Sequence, residues 1–590
     1  MVIYMKILLV ALNAKYIHSN LAVYSLRAYA CKQEPKYQEH ISLVEYTINQ
    51  LEEDILKEIY LQKAEVVAFS CYIWNIDMIT RIIKDLRKVA PNTKIWFGGP
   101  EVSYDAPKCL ELYTELDAVT IGEGEQTFRE IAEYYIEGTR ELESINGIAF
   151  KESAKTDCNC QSNIEKESTV TSIRLPLSLD TIPFPYTDMK SFENKIIYYE
   201  SSRGCPFSCT YCLSSIDKRV RLRNTELVKK ELKFLMDQKV PQIKFVDRTF
   251  NCNKQHAMDI WNFIKEKDNG ITNFHFEISA DLLEEDEIEF LATLRPGHIQ
   301  FEIGVQTTNA HTVDAIHRKM NLEKLNQNVA RMKEGNNIHQ HLDLIAGLPL
   351  EDYNSFEKSF NDVYRMKPDQ FQLGFLKVLK GSQMEEDTGT YGITYKSTAP
   401  YEVLFTKYLS YDELLVIKGI CEMVEVYYNS SQFKYAMDYL EHFFDSSMEM
   451  YHQIHLFYET KKLTHMAHTR LRKYEILLDF YEEIIRKTDR NTKEEELINL
   501  FKEILVMDLF LREDRKSRPA FAPKQPENIN LREIYTKYSV ERKQIHIEYF
   551  TYDIIASSQT GKAVRNPMAL IFDYENKDPL NNSAKLIPIN

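Results

Sequence analysis

The feature that most constrains this chain is Gly204-Cys205-Pro206-Phe207-Ser208-Cys209-Thr210-Tyr211-Cys212, which holds three cysteines in a C-x₃-C-x₂-C spacing. A β-like run at 195–202 precedes it. A strand ending in a Gly-Cys-Pro loop can direct three thiolates at one point. Soft, anionic sulfur selects iron–sulfur clusters, zinc or copper over hard cations. Three cysteines without an evident fourth leave one iron of a [4Fe–4S] cluster lacking a protein ligand, open to substrate or cofactor. A structural zinc site wants four protein ligands. Cys158 and Cys160 lie upstream in a polar run and Cys252 lies well downstream, and neither supplies an obvious fourth. A zinc knuckle and three buried thiols are the competing readings. Tyr211, beside the last cysteine, fits a cluster loop better than a knuckle.

With an aromatic residue before its last cysteine, this spacing resembles the radical S-adenosylmethionine (SAM) superfamily. Length and composition fit such a setting. At 590 residues the chain divides into about three or four domains. A hydrophobic content of 44% with 12% aromatic residues supports packed domains over disorder. A formal charge of −15 argues against general nucleic-acid binding. Ten cysteines with one tight group read as metal binding in a reducing compartment, not a disulfide framework. The apolar run 7–12 is followed at once by Asn13, Lys15 and His18, as in a buried strand and its loop, not a signal peptide. No run approaches the roughly 18 apolar residues of a membrane helix. A soluble, cytoplasmic protein without membrane association is expected.

Residues 1–140 alternate strands (6–12, 66–70, 94–97, 117–121) with helices (21–29, 78–89, 126–135). Continuous apolar strands between amphipathic helices imply a parallel sheet covered on both faces, with ligands outside the carboxyl ends of its strands. The residues at those ends are Asn13 and His18 after the first strand and Ser70, Cys71 and Tyr72 after a later one. Gly98-Gly99-Pro100-Glu101, then Gly122-Glu123-Gly124-Glu125, complete the rim. Gly-Gly-Pro and Gly-Glu-Gly-Glu at this separation resemble the Rossmann-like cobalamin-binding domain that precedes many radical SAM domains. That resemblance assigns these rim residues, Glu101 and Glu125 apart, to cobalamin. The Asp-x-His-x-x-Gly signature of cobalt-ligating histidines is not matched around His18, because Tyr16 stands where the orienting acid belongs. A metal-bound histidine needs a partner on its other nitrogen, so His18 is expected to hydrogen-bond the cofactor or the loop and to leave cobalt alone.

Residues 141–190 read as a connector, polar over 151–171 and fixed in extended form by Pro176, Pro183 and Pro185. Over 191–395 strands (242–246, 273–278, 298–305, 339–345, 370–377) alternate with helices (225–238, 254–267, 285–294, 322–334, 355–365), which gives a partial or full parallel (β/α) barrel. Catalytic residues of such barrels sit at the C-terminal ends of strands, which here carry Asp247, Glu277, Glu302, Gln306 and Asp343. The resemblance to cobalamin-dependent radical SAM enzymes covers the first 390 residues or so. It implies that the backbone at Val246 and Asp247 holds the methionine end of SAM, where Asp-Arg-Thr-Phe replaces the usual Gly-Gly-Glu. It further places Phe207, Tyr211, Glu277, Ser279, Glu302, Gln306 and Asp343 around SAM; a structural carboxylate is the competing reading for Asp343. Lys218, Arg219, Arg221 and Arg223 could bind an anionic substrate or form a solvated surface that balances the cluster.

Residues 396–590 lose the βα rhythm and read as a mostly helical accessory domain with a basic, proline-containing linker near 515–526 and two strand-like runs, 544–549 and 568–574. A C-terminal domain of uncharacterised function accompanies one subset of the resembled family. What the resemblance implies is a [4Fe–4S] cluster on Cys205, Cys209 and Cys212, with SAM at the open iron and cobalamin beside it. SAM cleavage to methionine and a 5′-deoxyadenosyl radical follows, and a methyl group passes to an unactivated carbon of an unknown substrate. The reducing partner would be a protein such as flavodoxin or ferredoxin. The alternatives are a non-methylating cyclase, oxidase or rearrangement enzyme with the same cofactors, and a corrinoid or cluster sensor.

Overall fold

Strand β1 (Ile7–Asn13) is buried along its whole length. It pairs in parallel with β2 (Ile41–Thr47) on one side and β3 (Val66–Ser70) on the other. The sheet continues through β4 (Lys94–Gly98) and β5 (Ala118–Thr120), and ends in two antiparallel strands, β6 (Ile148–Lys151) and β7 (Ser168–Val170). An all-apolar strand can lie only where helices cover both faces. Helix Ile76–Val89 covers one face with Ile76, Ile79, Ile82, Ile83 and Leu86, and Val23 and Ala30 of helix Leu21–Gln33 pack on the other. The order β2-β1-β3 reverses direction at β1. The crevice at such a switch point, outside the carboxyl ends of the strands, is where open α/β sheets bind ligands. The sequence reading passed over β2 and the helix Glu52–Leu61. β2 lies at the sheet edge and only Ile41 and Tyr46 are buried, so it lacks the continuous apolar run that marks its neighbours.

The computed structural model describes residues 5–152, 168–487, 494–515, 517–525, 533, 536 and 544–589. Cys158, Cys160, Lys516 and Pro526 lie outside the described residues. The chain divides into two units. One holds Met1–Leu283, Asp314–Met320 and Leu376–Thr406; the other holds Glu284–Val313, Asn321–Phe375 and Lys407–Asn590.

In the first unit, β8 (Ile197–Tyr199), β11 (Gln242–Phe245) and β12 (Asn273–Ile278) pair in parallel. A short antiparallel pair, β9 (Ser202–Arg203) and β10 (Arg221–Leu222), brackets the cysteine loop. The second unit contributes β13 (Ile299–Gln306), β14 (His339–Ala346) and β15 (Gln370–Phe375), also parallel. Helices Thr225–Asp237 and Lys254–Glu266 alternate with the strands of the first unit, and Leu322–Glu334 and Tyr353–Arg365 with those of the second, so each unit keeps the parallel βα rhythm. The open edge of β15 is closed by a side chain: Asn429 accepts from Phe371 N and donates to Phe371 O, each at 2.8 Å. This blocks pairing with another chain along that stretch.

The rest of the second unit is mainly helical, as expected, with buried tyrosines hydrogen-bonded in pairs such as Tyr427–Tyr458 at 2.7 Å and Tyr439–Tyr481 at 3.2 Å. It adds an antiparallel sheet, β16 (Ile545–Tyr552), β17 (Arg565–Asp573) and β18 (Lys585–Ile589). Among the described residues no helix is long and apolar enough to cross a membrane.

Candidate cofactor site

The cysteine loop is anchored at several points. Cys205 N donates to Asp217 O at 3.2 Å, Cys212 N to Cys209 O at 3.1 Å, and Thr210 N to Ile316 O at 3.0 Å. Cys205 and Cys209 are buried and Cys212 is half-buried, all as free thiols. Arg318 Nη1 donates toward Cys209 Sγ at 3.9 Å and to Tyr211 OH at 3.3 Å. Burial pushes the Cys209 thiol up, and the Arg318 charge opposes this by favouring thiolate. Cys252, remote in sequence, lies one turn from Thr249 (Cys252 N to Thr249 O, 3.0 Å). Thr249 Oγ1 is in turn 3.6 Å from Cys205 Sγ. Burial, and then the neighbouring Cys205, push the Cys252 thiol up to about 11.

The loop fits a group larger than an ion. Thr210 Oγ1, between two of the cysteines, is buried without a hydrogen-bond partner, which is costly unless a ligand supplies one. Among the described residues no three His, Cys, Asp or Glu side chains converge as a single-ion site. A cluster does not require that, because its thiolates bind separate irons.

The strand leading into the loop is held from below by Asp247. Its carboxylate is fully buried and accepts from Ser201 N at 3.0 Å, Ser201 Oγ at 2.6 Å and Ser202 Oγ at 2.6 Å. His256 Nε2 lies 3.0 Å from Ser201 Oγ. Burial raises Asp247 to about 6 against these hydrogen bonds. Its side chain is thus committed inward to the strand before the cysteine loop. Ser279 is fixed by Asn251 on both its backbone groups (2.9 and 3.0 Å), and its hydroxyl donates to Asp281. Glu277 is half-buried on β12. Phe207 is half-buried in the cysteine loop. Glu302, Gln306 and Asp343 belong to the second unit, where Gln306 Nε2 donates to Asp343 Oδ2 at 3.2 Å and Gln306 Oε1 is buried without a partner. Replacing Asp247 by alanine would leave the Ser201 amide and the Ser202 hydroxyl buried without their acceptor, while Ser201 Oγ keeps His256 Nε2. We expect a loss of about 3 kcal/mol of unfolding free energy at neutral pH, read by urea titration.

At the crevice of the first sheet the rim residues are bound largely to one another. Asn13 Nδ2 donates to His18 O and Glu45 Oε1, and Asn20 Nδ2 to Ser70 Oγ at 3.3 Å. Asn75, fully buried, joins the ends of two strands by donating to Leu12 O and Ser70 O. Cys71 is buried with its backbone against Gly99. Tyr72 stacks on Trp74 at 4.2 Å between ring centres, and Trp74 is 46% exposed. Pro100 opens the helical turn that follows Gly99. His18 Nδ1 is 2.7 Å from Tyr198 OH on β8. Burial and the charges of Lys15 and Lys244 hold its pKa below the ordinary histidine value. Gly122 is exposed, and an added Cβ there would meet nothing within 4 Å.

The acids of the second glycine loop, Glu123 and Glu125, are tied to residues flanking the cysteine loop. Arg203, one residue before Gly204, pairs with Glu123 at 3.2 Å and Glu125 at 2.5 Å, and Arg221 also pairs with Glu123. Of the four basic residues after the cluster motif, Arg221 and Arg223 are engaged inside the fold, Arg223 with Glu231 at 2.6 Å and with the carbonyls of Leu179 and Ile182. Arg219 pairs with Asp217. Asn75, Arg203 and Arg318 were not singled out from sequence. Their partners are distant along the chain, and no local spacing marks them.

Comparisons with known proteins agree with this geometry. Family models match a B12 binding domain over residues 7–132, the radical SAM superfamily over 199–363, and a protein family of unknown function, DUF4080, over 389–572. The chain is 30% identical over 211 residues to an uncharacterized methyltransferase of Pyrococcus horikoshii, covering 34% of this chain and 43% of that protein. It is 25% identical over 313 residues to the cobalamin-dependent radical SAM methyltransferase TokK of Streptomyces tokunonensis, covering 50% of this chain and 44% of that protein. The chain thus spans less than half the length of either relative. Among solved structures, the cobalamin-dependent SAM radical enzyme OxsB with aqua-cobalamin bound shares the fold, with a TM-score of 0.58 at 15% identity over 86% of this chain and 80% of OxsB. The chain is a member of the radical SAM superfamily that carries an N-terminal B12-binding domain and a C-terminal DUF4080 domain.

Proposed function

We propose that this protein is a cobalamin-dependent radical SAM methyltransferase. Its [4Fe–4S] cluster would sit on Cys205, Cys209 and Cys212, SAM at the open iron, and cobalamin in the crevice between the Gly98-Gly99 and Gly122–Gly124 loops. The observation that carries the reading is the cysteine loop, joined through Arg203 to the acids of a glycine loop. One polypeptide thereby holds two cofactor cradles side by side. When loaded, the cluster and SAM supply a carbon-centred radical and the corrinoid a transferable methyl group.

The chain's own residues bind and orient. Arg318 stabilises thiolate at Cys209, and Thr210 offers a hydroxyl to the cluster or to SAM. Asp247 and its serines fix the direction of the strand before Cys205. His18 is held at Nδ1 by Tyr198, which supplies the partner on the other nitrogen that the sequence around Tyr16 lacks, so Nε2 would stay available to a corrinoid and the sequence expectation that His18 leaves cobalt alone loses its premise. The substrate remains a carbon compound of unspecified class, and the electron comes from a low-potential carrier such as flavodoxin or ferredoxin.

A test needs no substrate. The anaerobically reconstituted protein is mixed with hydroxocobalamin, a strong one-electron reductant and SAM labelled in its methyl group. Label in the corrinoid fraction together with 5′-deoxyadenosine is the expected result. 5′-Deoxyadenosine with no label on the corrinoid would favour a cyclase, oxidase or rearrangement enzyme, and neither product would overturn the radical SAM reading altogether.

A further inference from the structure

The segment Leu376–Thr406 follows the last barrel strand yet belongs to the first unit. Its Lys380 Nζ lies 2.7 Å from Glu101 Oε1, and Tyr401 OH donates to the same oxygen at 2.5 Å. The Glu101 side chain is 2% exposed. Glu101 directly follows Gly98-Gly99-Pro100 at the crevice, and Gly99 rests on the backbone of Cys71. A buried carboxylate is tolerated only when paired, and an apolar residue of similar size would often be as stable. Stability alone therefore does not account for an acid here.

The same segment reaches the cysteine loop. Ser382 caps the short helix Gln383–Glu386, and Met384 N, fully buried with its residue, donates to Thr210 O at 2.9 Å. Thr210 follows Cys209. Only three residues, Gly381 to Gln383, thus separate a contact to the glycine loop from a contact to the cysteine loop.

We propose that Glu101, Lys380 and Tyr401 are positioning residues that lock the corrinoid loop to the cysteine loop through this strap, so that assembly of the cluster tightens corrinoid binding and the reverse. The proposal rests on the cofactor reading above. Coupling between two sites is a reciprocal free energy carried by contiguous packed groups, and here the groups are the three side chains and the Met384 amide. The first residues of the DUF4080 match, from 389 onward, include Tyr401, so this domain supplies part of the lock.

The test is a spectral titration of hydroxocobalamin into the full-length protein, once with the cluster reconstituted and once cluster-free. For the unaltered protein the ratio of the two dissociation constants is expected to lie between about 5 and 150, the span of ordinary allosteric coupling. In Lys380→Met, and separately in Glu101→Gln, the ratio is expected to fall to about 1 while the cluster-free protein still binds corrinoid. A ratio of 1 in the unaltered protein, or an unchanged ratio in both variants with native circular dichroism, would overturn the lock but leave the cofactor reading intact. An unaltered protein that takes up no corrinoid in either form fails the cofactor reading, and the lock with it. Tyr401→Phe, which removes one hydroxyl, guards against misfolding of the charge variants and should lower the ratio part-way.

Discussion

Alanine at Cys205, Cys209 and Cys212 together is expected to remove the iron and acid-labile sulfide of the reconstituted protein, with its visible absorbance, and to abolish formation of 5′-deoxyadenosine. The loss should be complete, since the thiolate is the ligand and three ligands disappear at once. The fold should survive. The loop is held by backbone hydrogen bonds to Asp217 and Ile316, and the cysteines are free thiols rather than cross-links. Corrinoid binding should persist at the affinity of the cluster-free form, because the rim around Ser70, Gly99 and Gly122 is built on a different sheet. Iron and sulfide analysis, absorbance, and hydroxocobalamin titration on one preparation check all three outcomes. A full complement of iron in the triple variant would sink the assignment, and Cys252, one turn from Thr249, would then be the first residue to replace.

The second large effect separates two glycines that look alike in sequence. Gly99 has φ 114° and ψ 173°, a conformation essentially reserved for glycine. A Cβ there would lie 2.5 Å from Cys71 O. The obstacle is backbone and cannot swing away. Gly99→Ala is expected to cost about 3 kcal/mol from backbone strain, more with the clash, and to lose corrinoid along with loop order. Gly122 also has positive φ, 77°, but an added Cβ meets open space. Gly122→Leu should therefore cost only about 1–2 kcal/mol of left-handed strain, yet weaken corrinoid binding at least tenfold if the corrinoid lies against this loop as proposed, because the side chain would occupy that space. Urea denaturation with hydroxocobalamin titration measures both. Equal losses of stability at the two positions, or corrinoid binding unchanged in Gly122→Leu, would contradict this division of roles.

These glycines show where a sequence stops being legible. The barrel strand Asn273–Ile278 and the helix Leu322–Glu334 agree with the sequence reading to the residue, because hydrophobic period is a local property. The cysteine loop was legible for the same reason: all three thiols sit within one turn of chain. Glu123 and Glu101 were not. Glu123 looked like part of a cofactor rim, yet its carboxylate is engaged by Arg203 and Arg221. Glu101, which ends the rim stretch Gly98-Gly99-Pro100-Glu101, is likewise the buried partner of Lys380 and Tyr401. Whether an acid faces a ligand or a distant base depends on tertiary contacts that no spacing encodes. The basic run at 218–223 shows the converse: an anionic-substrate reading was open in sequence, but Arg221 and Arg223 are directed at acids and carbonyls of the fold.

The strap also bears on how such chains can be recombined. The DUF4080 match begins at residue 389, whereas the strap returns Tyr401 to Glu101 and pairs Val403 N with Leu376 O at 2.8 Å before it leaves the first unit. A graft joined at the family boundary would bring in a foreign tyrosine segment against a native glutamate and lysine, with a buried carboxylate at the seam. A graft joined after Thr406 keeps those three residues together. Exchange of the accessory domain between relatives, in the laboratory or over evolutionary time, should be better tolerated at the later junction.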